Sequence, residues 1–298
     1  MSFPTLQELI TLQGAVRRSK LRGRSPAQAQ LLGSHRSARH GRGLEIEEVR
    51  PYVAGDDLRS IDWRVTARRG RLHTKLYREE RERPVWLLVD LGASMFFGSR
   101  GQLKSMVAVR AAALLAWAAA LGEDRVGAVI GGGKRTLVLP LRSRQAGVLP
   151  ILNALIELQP REPTTGTGEL GAALRSLTPL VRPGSNVIAL SDFHSEEVLS
   201  QALWCELAAH SDCRWVWISD PLEEHALPNG RYLAGFDGKI APVDGGRVRS
   251  AWLETWARRA ARIDELTKAL RIDLLRLDTA QRVDEALAAT VNSSKSAA

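Results

Sequence analysis

Cysteine is scarce in this chain. Cys205 and Cys213 are the two among 298 residues, and their spacing makes neither a disulfide framework nor a zinc site, so reduced thiols are expected. Long hydrophobic runs are lacking too. The longest candidate, Ala111 to Leu121, sits in a helical pattern that starts with Lys104 and Arg110. It falls short of the roughly 18 apolar residues that a membrane span needs and reads as a buried helix. Met1 to Gly14 has no basic start, apolar run or small-residue cleavage site, so no leader is read there and a cytoplasmic protein is expected. Internal repeats and low-complexity tracts are absent, and only the polar tail, 291–298, is expected to fray. Acids are nearly missing before Gly43, where Glu8 alone faces Arg17, Arg18, Lys20, Arg22, Arg24, Arg36, Arg39 and Arg42.

That imbalance contributes much of the net charge of +9. Residues 1–43 therefore read as a basic arm, which docks on acidic parts of its own fold, stays solvated, or touches phosphates. No aromatic residues interleave with it to stack bases, so nucleic acid is the minor reading. Hydrophobic residues make up 44% of the chain, enough for a large core.

From Pro84 onward, strand and helix patterns alternate. Pro84 to Val89 is a short apolar run ending in Asp90, as expected of a strand buried on both faces. A helix over 102–121 follows. Arg125 to Ile130 and Thr136 to Leu139, joined by Gly131-Gly132-Gly133, predict an antiparallel hairpin. Helices over 144–158 and 169–177 come next, then a strand over 186–190 closing on Ser191-Asp192. Helix 196–209, strand 214–219, helix 249–270, strand 272–277 and helix 280–289 complete the pattern, with 222–246 as a loop-rich insertion. This is the pattern of an α/β, doubly wound, mostly parallel sheet, here with an N-terminal extension. Trp252, Trp256, Leu253, Ile263 and Leu266 form a stripe that reads as core-facing.

Ligands of such sheets sit outside the carboxyl ends of the strands. Two strands end in aspartate, Asp90 and Asp192. Asp90 is followed by Gly92 and Ser94, and a loop containing Thr165 and Thr167 lies between the two aspartates in sequence. Singly, an aspartate after a strand caps a helix and a Thr/Gly loop merely turns. Jointly they are hard oxygen donors suited to Mg²⁺ or Mn²⁺.

Asp90, Ser94, Thr167 (or Thr165) and Asp192 resemble the metal-ion-dependent adhesion site of von Willebrand factor A domains. The resemblance implies a Rossmann-like fold for 84–290 and a bound Mg²⁺ or Mn²⁺. Gly92 departs from the pattern by replacing a ligand serine, so a weakened or lost ion is expected.

Upstream, the run from Arg50 through Tyr52, Gly55, Asp56, Asp57, Arg59, Asp62 and Trp63 to Arg68 resembles the signature of the bacterial domain of unknown function fifty-eight family, continued by Asp90, Ser94, Met95 and Gly98. This resemblance implies a von Willebrand A-like protein that works with a MoxR-type AAA+ ATPase, and with other von Willebrand A proteins, in protein maturation or complex assembly. Family members often carry transmembrane helices. No such span is read here, which leaves any membrane link to a partner.

In physical terms the signature, 44–83, mixes arginines and aspartates with Tyr52, Ile61 and Trp63 as apolar anchors. An ion-pair network holding this segment on the core domain is expected, with an exposed docking surface as the alternative.

Enzyme readings fare less well. Ser94 follows a strand as a nucleophile would, and Asp192 and His225 follow in hydrolase order, but Phe96 replaces the second glycine of a nucleophile elbow. Gly131-Gly132-Gly133-Lys134 lacks the remainder of a phosphate loop. His194 reads as a capping or surface residue. The sequence therefore predicts a non-enzymatic interaction module, with nucleic-acid binding through the arm and serine hydrolysis through Ser94 as the other readings.

Overall fold

In the computed structural model the first ordered element is a helix, α1 (Leu6–Arg18). Leu9 and Val16 are fully buried in the main core, and Trp117 Nε1 donates to the Leu9 carbonyl at 3.0 Å. Arg110 Nε pairs with Glu8 at 2.7 Å. This corrects the arm reading for these residues, because two side chains that each contribute about 1.5–3 kcal/mol by burial hold the helix down. The structure describes residues 2–18, 45–54, 56–78, 83–132, 135–163, 169–236 and 239–293. Lys20, Arg22, Arg24, Arg36, Arg39 and Arg42 lie outside them, as do Gly55, the Thr164 to Gly168 loop and Gly133-Lys134. The chain divides into two units, Met1–Ser34 with Arg83–Ala298, and His35–Glu82.

The smaller unit pairs β1 (Glu45–Pro51) antiparallel with β2 (His73–Arg78), and between them lies α2 (Trp63–Arg69). Arg50 grips Asp56 through two bonds of 2.9 and 2.8 Å, and Asp56 also accepts from Val53 N. Asp57 caps the 3-10 turn Leu58–Ser60, and Asp62 caps α2 while pairing with Lys75 at 3.7 Å. The acids of the signature thus act locally as caps and as ion-pair partners. Ile61 is buried and Tyr52 is half-buried, but Trp63, expected as an anchor, is 68% exposed at the start of a helix that buries none of its residues.

The larger unit is built on a six-stranded sheet of β3 (Pro84–Leu91), β4 (Arg125–Gly132), β5 (Arg135–Ser143), β6 (Asn186–Ser191), β7 (Asp212–Ser219) and β10 (Asp273–Asp278). The spatial order is β10-β7-β6-β3-β4-β5, and every pairing is parallel except the edge pair β4/β5. Helices cover both faces, as the buried parallel strands require. Period-two alternation sends Val85, Leu87 and Val89 of β3 into one core layer and Trp86 and Leu88 into the other.

The first layer is filled by α3 (Lys104–Leu121) and α4 (Arg144–Leu158). α3 is long and apolar enough to cross a membrane by composition, and 83% of it is buried within this fold. Its alanines let it lie close to the sheet. The second layer is packed by α5 (Glu169–Leu177), α6 (Gln201–His210) and α8 (Gly245–Leu270) around Trp204, Trp215 and Trp217. Trp256 stacks on Trp217 at 5.0 Å, and Ile263 and Leu266 are buried, whereas Leu253 of the expected stripe is exposed. Gly127 makes room for Trp86, since a Cβ there would stand 2.8 Å from the indole ring.

The described residues of the insertion expected at 222–246 form regular elements. It holds α7 (Pro221–His225) and a hairpin of β8 (Arg231–Phe236) with β9 (Lys239–Asp244), and α8 begins at Gly245 rather than 249. β8 reads Arg-Tyr-Leu-Ala-Gly-Phe, with no β-branched residue to signal a strand. The final helix, α9 (Val283–Ser293), runs into the segment expected to fray.

Candidate functional site

The strand order reverses beside β3. Its chain continues through α3 to β4 on one side, while β6 lies against its other edge, so the loops after β3 and β6 flank the switch point where open α/β sheets bind ligands. Asp90 and Asp192 stand there. Asp90 belongs to β3 itself and is 6% exposed; its Oδ1 accepts from Gly92 N at 2.9 Å and its Oδ2 from the Ser191 hydroxyl at 2.6 Å. Ser191 Oγ in turn accepts from Phe193 N at 2.9 Å. Phe193 has a positive φ of 48°, a strained conformation for this residue, held by burial of its ring against Trp215 at 4.4 Å.

The bend aims His194 N at Asp192 Oδ1 at 3.1 Å, and Ser94 Oγ donates to the same oxygen at 3.1 Å. Three of the residues singled out in the sequence, Asp90, Ser94 and Asp192, are thereby brought to one place. Thr167 and Thr165 lie outside the described residues. His194 is an exposed residue whose Nδ1 lies 2.8 Å from Arg259. Partial desolvation of the ring holds its imidazole pKa below the usual value, with the Asp192 charge opposing and the Arg259 and Lys104 charges adding.

The sequence reading missed two members. Lys104, the first residue of α3, is 1% exposed, and its Nζ lies 2.6 Å from Asp192 Oδ2 and 2.9 Å from Glu223 Oε1. Glu223 comes from α7, where its other oxygen accepts from Asp220 N at 3.0 Å. Burial alone drives the lysine pKa down and the Asp192 pKa up. Their mutual attraction outweighs it, so the Lys104 pKa lies above and the Asp192 pKa below its ordinary value. A signal for Lys104 was present: it is a cation at the positive end of a helix dipole, opening a largely apolar helix, which is costly without nearby carboxylates.

Asp220 ties the loops together. It accepts from Ser99 N at 2.7 Å, Leu222 N at 2.8 Å and the Ser99 and Thr279 hydroxyls, so the segments after β3, β7 and β10 meet at one carboxylate. Burial pushes its pKa up, but these hydrogen bonds outweigh it and hold it below the usual carboxylate range. Gly98 in the same loop is required because a Cβ would collide with the Gln102 carbonyl.

These residues do not fit a divalent ion. Each oxygen of Asp90 and Asp192 already accepts a hydrogen bond, Gly92 supplies no hydroxyl, and an ammonium group touches Asp192. Among the described residues no group of three or more His, Cys, Asp or Glu side chains converges as a metal cluster. Nor do Ser94 and His225 pair as a nucleophile and base: Ser94 Oγ turns to Asp192, and His225 Nδ1 lies 2.9 Å from the Pro221 carbonyl.

A family model described as "Protein of unknown function DUF58" matches residues 48–262, from the Arg50–Asp56 segment through both strand-end aspartates. The chain belongs to this family. Two relatives, the uncharacterized proteins Mb1516 of Mycobacterium bovis and Rv1480 of Mycobacterium tuberculosis, are each 32% identical over 254 residues, 84% of this chain and 78% of theirs. Among solved structures, the conserved hypothetical protein BatB from Bacteroides thetaiotaomicron is 14% identical, with a TM-score of 0.44 over 72% of this DUF58 chain and 99% of that one. An aerotolerance-related membrane protein from Bacteroides fragilis is 16% identical, with a TM-score of 0.44 over 71% of this chain and 99% of that one. An uncharacterized membrane spanning protein from Vibrio fischeri has a TM-score of 0.24 at 18% identity, over 72% and 98% of the two chains. The descriptions of the last two as membrane proteins run against the cytoplasmic placement expected from the sequence, and that placement is withdrawn. A chain's own hydropathy does not assign its compartment.

Proposed function

We propose that this DUF58 protein is a non-enzymatic interaction module of von Willebrand A-like architecture. Its docking face is formed by the loops after β3 and β6, and its partner is a MoxR-type AAA+ ATPase acting in protein maturation or complex assembly. The observation that carries the reading is the Ser94 to Asp192 hydrogen bond, which joins the two sequence-distant halves of the adhesion-like motif at the switch point. The antiparallel edge strand β5 and the reversal of order at β3 are in keeping with that architecture.

Trp63, exposed beside the arginines of the signature, favours a second contact, because tryptophan and arginine are what interface centres use. Other von Willebrand A proteins are proposed as further members of the assembly.

The reading is tested by titrating the purified MoxR-type ATPase of the same organism against immobilised wild-type protein and a folded Ser94→Tyr variant. Ser94 is half-buried at the mouth of the site, so the bulky side chain blocks the face without removing a buried charge. Saturable binding weakened at least tenfold by the substitution supports the reading, and equal binding by both proteins removes the face from it.

A further inference from the structure

The adhesion-like resemblance calls for a divalent ion, and on Asp192, one of its candidate ligands, the protein places an ammonium group of its own. We propose that Lys104 is the permanent cation of the switch-point site, taking the position of Mg²⁺ or Mn²⁺ so that the docking face is built without metal.

The geometry is that of an ion pair and not of a vacated metal centre. Nζ lies 2.6 and 2.9 Å from its two carboxylate partners, the range of charge-assisted N–H···O bonds, whereas Mg²⁺ draws its oxygens to about 2.0–2.1 Å. Every oxygen of the two carboxylates already accepts a hydrogen bond. Asp192 accepts from Lys104, Ser94 and His194 N, and Glu223 accepts from Lys104 and Asp220 N. A divalent ion would have to displace the lysine or sit beside it, and a buried unit charge at such range repels strongly in a site from which water is excluded.

The position of the lysine is itself built. Lys104 N donates to the Phe97 carbonyl at 2.8 Å, and the Phe97 ring lies 5.6 Å from Nζ. Asp220 ties α7, and with it Glu223, to Ser99 of the same loop. The triad therefore fastens the loops after β3, β6 and β7 as a metal would.

The inference concerns the same face as the proposed docking but needs no partner, so its failure and that of the adaptor reading are told apart. The test is a Mn²⁺ titration followed by electron paramagnetic resonance of the free ion, with thermal unfolding alongside, on wild type and Lys104→Ala. Wild type is expected to leave the free-ion signal undiminished and its Tm unmoved by Mn²⁺ or EDTA. Lys104→Ala, which uncovers two carboxylates around one small cavity, is expected to take up one Mn²⁺ per chain and to gain several degrees in Tm from it. Uptake of Mn²⁺ by wild type that disappears in Asp192→Asn would overturn the proposal. So would a folded Lys104→Ala that ignores Mn²⁺. Should Lys104→Ala stay unfolded with and without the ion, the wild-type titration decides the matter by itself.

Discussion

Lys104 Nζ and Asp192 Oδ2 lie 2.6 Å apart although the residues are separated by 88 positions, and both side chains are almost wholly removed from solvent. An ion pair in such a place is strongly interdependent. Its net contribution to stability is modest, because desolvation of both groups offsets most of the attraction, but removing one member leaves the other charged and stranded.

Lys104→Met is accordingly expected to destabilise the protein by about 3–5 kcal/mol, since Asp192 and Glu223 lose their counter-charge together. The double variant Lys104→Met/Asp192→Asn should recover part of that loss. Urea unfolding of the three proteins measures it; a double variant no more stable than the single one would show that the cost lies in packing and not in charge.

Stability should fall in acid. Asp192 and Asp220 both have pKa values lowered in the fold, so the unfolded chain binds protons first. Their contribution is complete above the unfolded carboxylate value of about 3.9 and is lost as pH drops through the lower folded values. His194, also lowered, adds a loss that begins as pH falls through its unfolded value of about 6.5. Denaturant midpoints from pH 7 to pH 3 should show Asp220→Asn less stable at neutrality and less sensitive below pH 4, and His194→Gln flatter between pH 7 and pH 5.

Trp63→Ala should leave the fold intact and weaken binding of the proposed ATPase partner. At 68% exposure its indole adds little to folding, so a change within about 0.5 kcal/mol is expected, whereas an exposed tryptophan at an interface centre commonly contributes about 2 kcal/mol or more. Paired calorimetry and binding measurements read both numbers; unchanged affinity would drop the signature from the docking surface.

The two thiols should separate cleanly. Cys205 is exposed, while Cys213 is buried and its pKa is pushed up to about 11 by desolvation. An aromatic disulfide reagent at pH 8 should modify one thiol in the native protein and both in denaturant. Rapid modification of both in the native state would mean that the second core layer opens.

Gly98→Ala tests how the site is held. The added Cβ meets the Gln102 carbonyl, a backbone group that cannot rotate aside, so the loop carrying Ser94 and Ser99 has to move. A loss of about 1–3 kcal/mol is expected from overpacking of this kind. Gly101→Ala, where nothing lies within 4 Å, carries only the strain of its φ of 76° and should cost less. Tm values of the two variants check the order.

Much of this architecture was legible because its signals are local. The helix Arg144–Leu158 and the turn after Ile130 follow from apolar spacing and glycine, and the six strands of the sheet announce themselves as short apolar runs between turns. Where the local signal is weak, the reading failed: α1 was hidden by the basic residues that follow it, and the β8/β9 hairpin by the lack of β-branched residues in β8.

The candidate site divides in the same way. Sequence alone determined that Asp90 and Asp192 stand at strand ends and that Gly92 removes a hydroxyl, since each is a matter of neighbours along the chain. Only the tertiary structure decided that the Lys104 ammonium bridges Asp192 and Glu223, 88 and 119 positions away in sequence. Periodicity tells which residues leave a helix or strand on a given face, but not which strands lie side by side. It is the order β7-β6-β3, set by the packing of the whole sheet, that brings the segments after those three strands within reach of one buried cation.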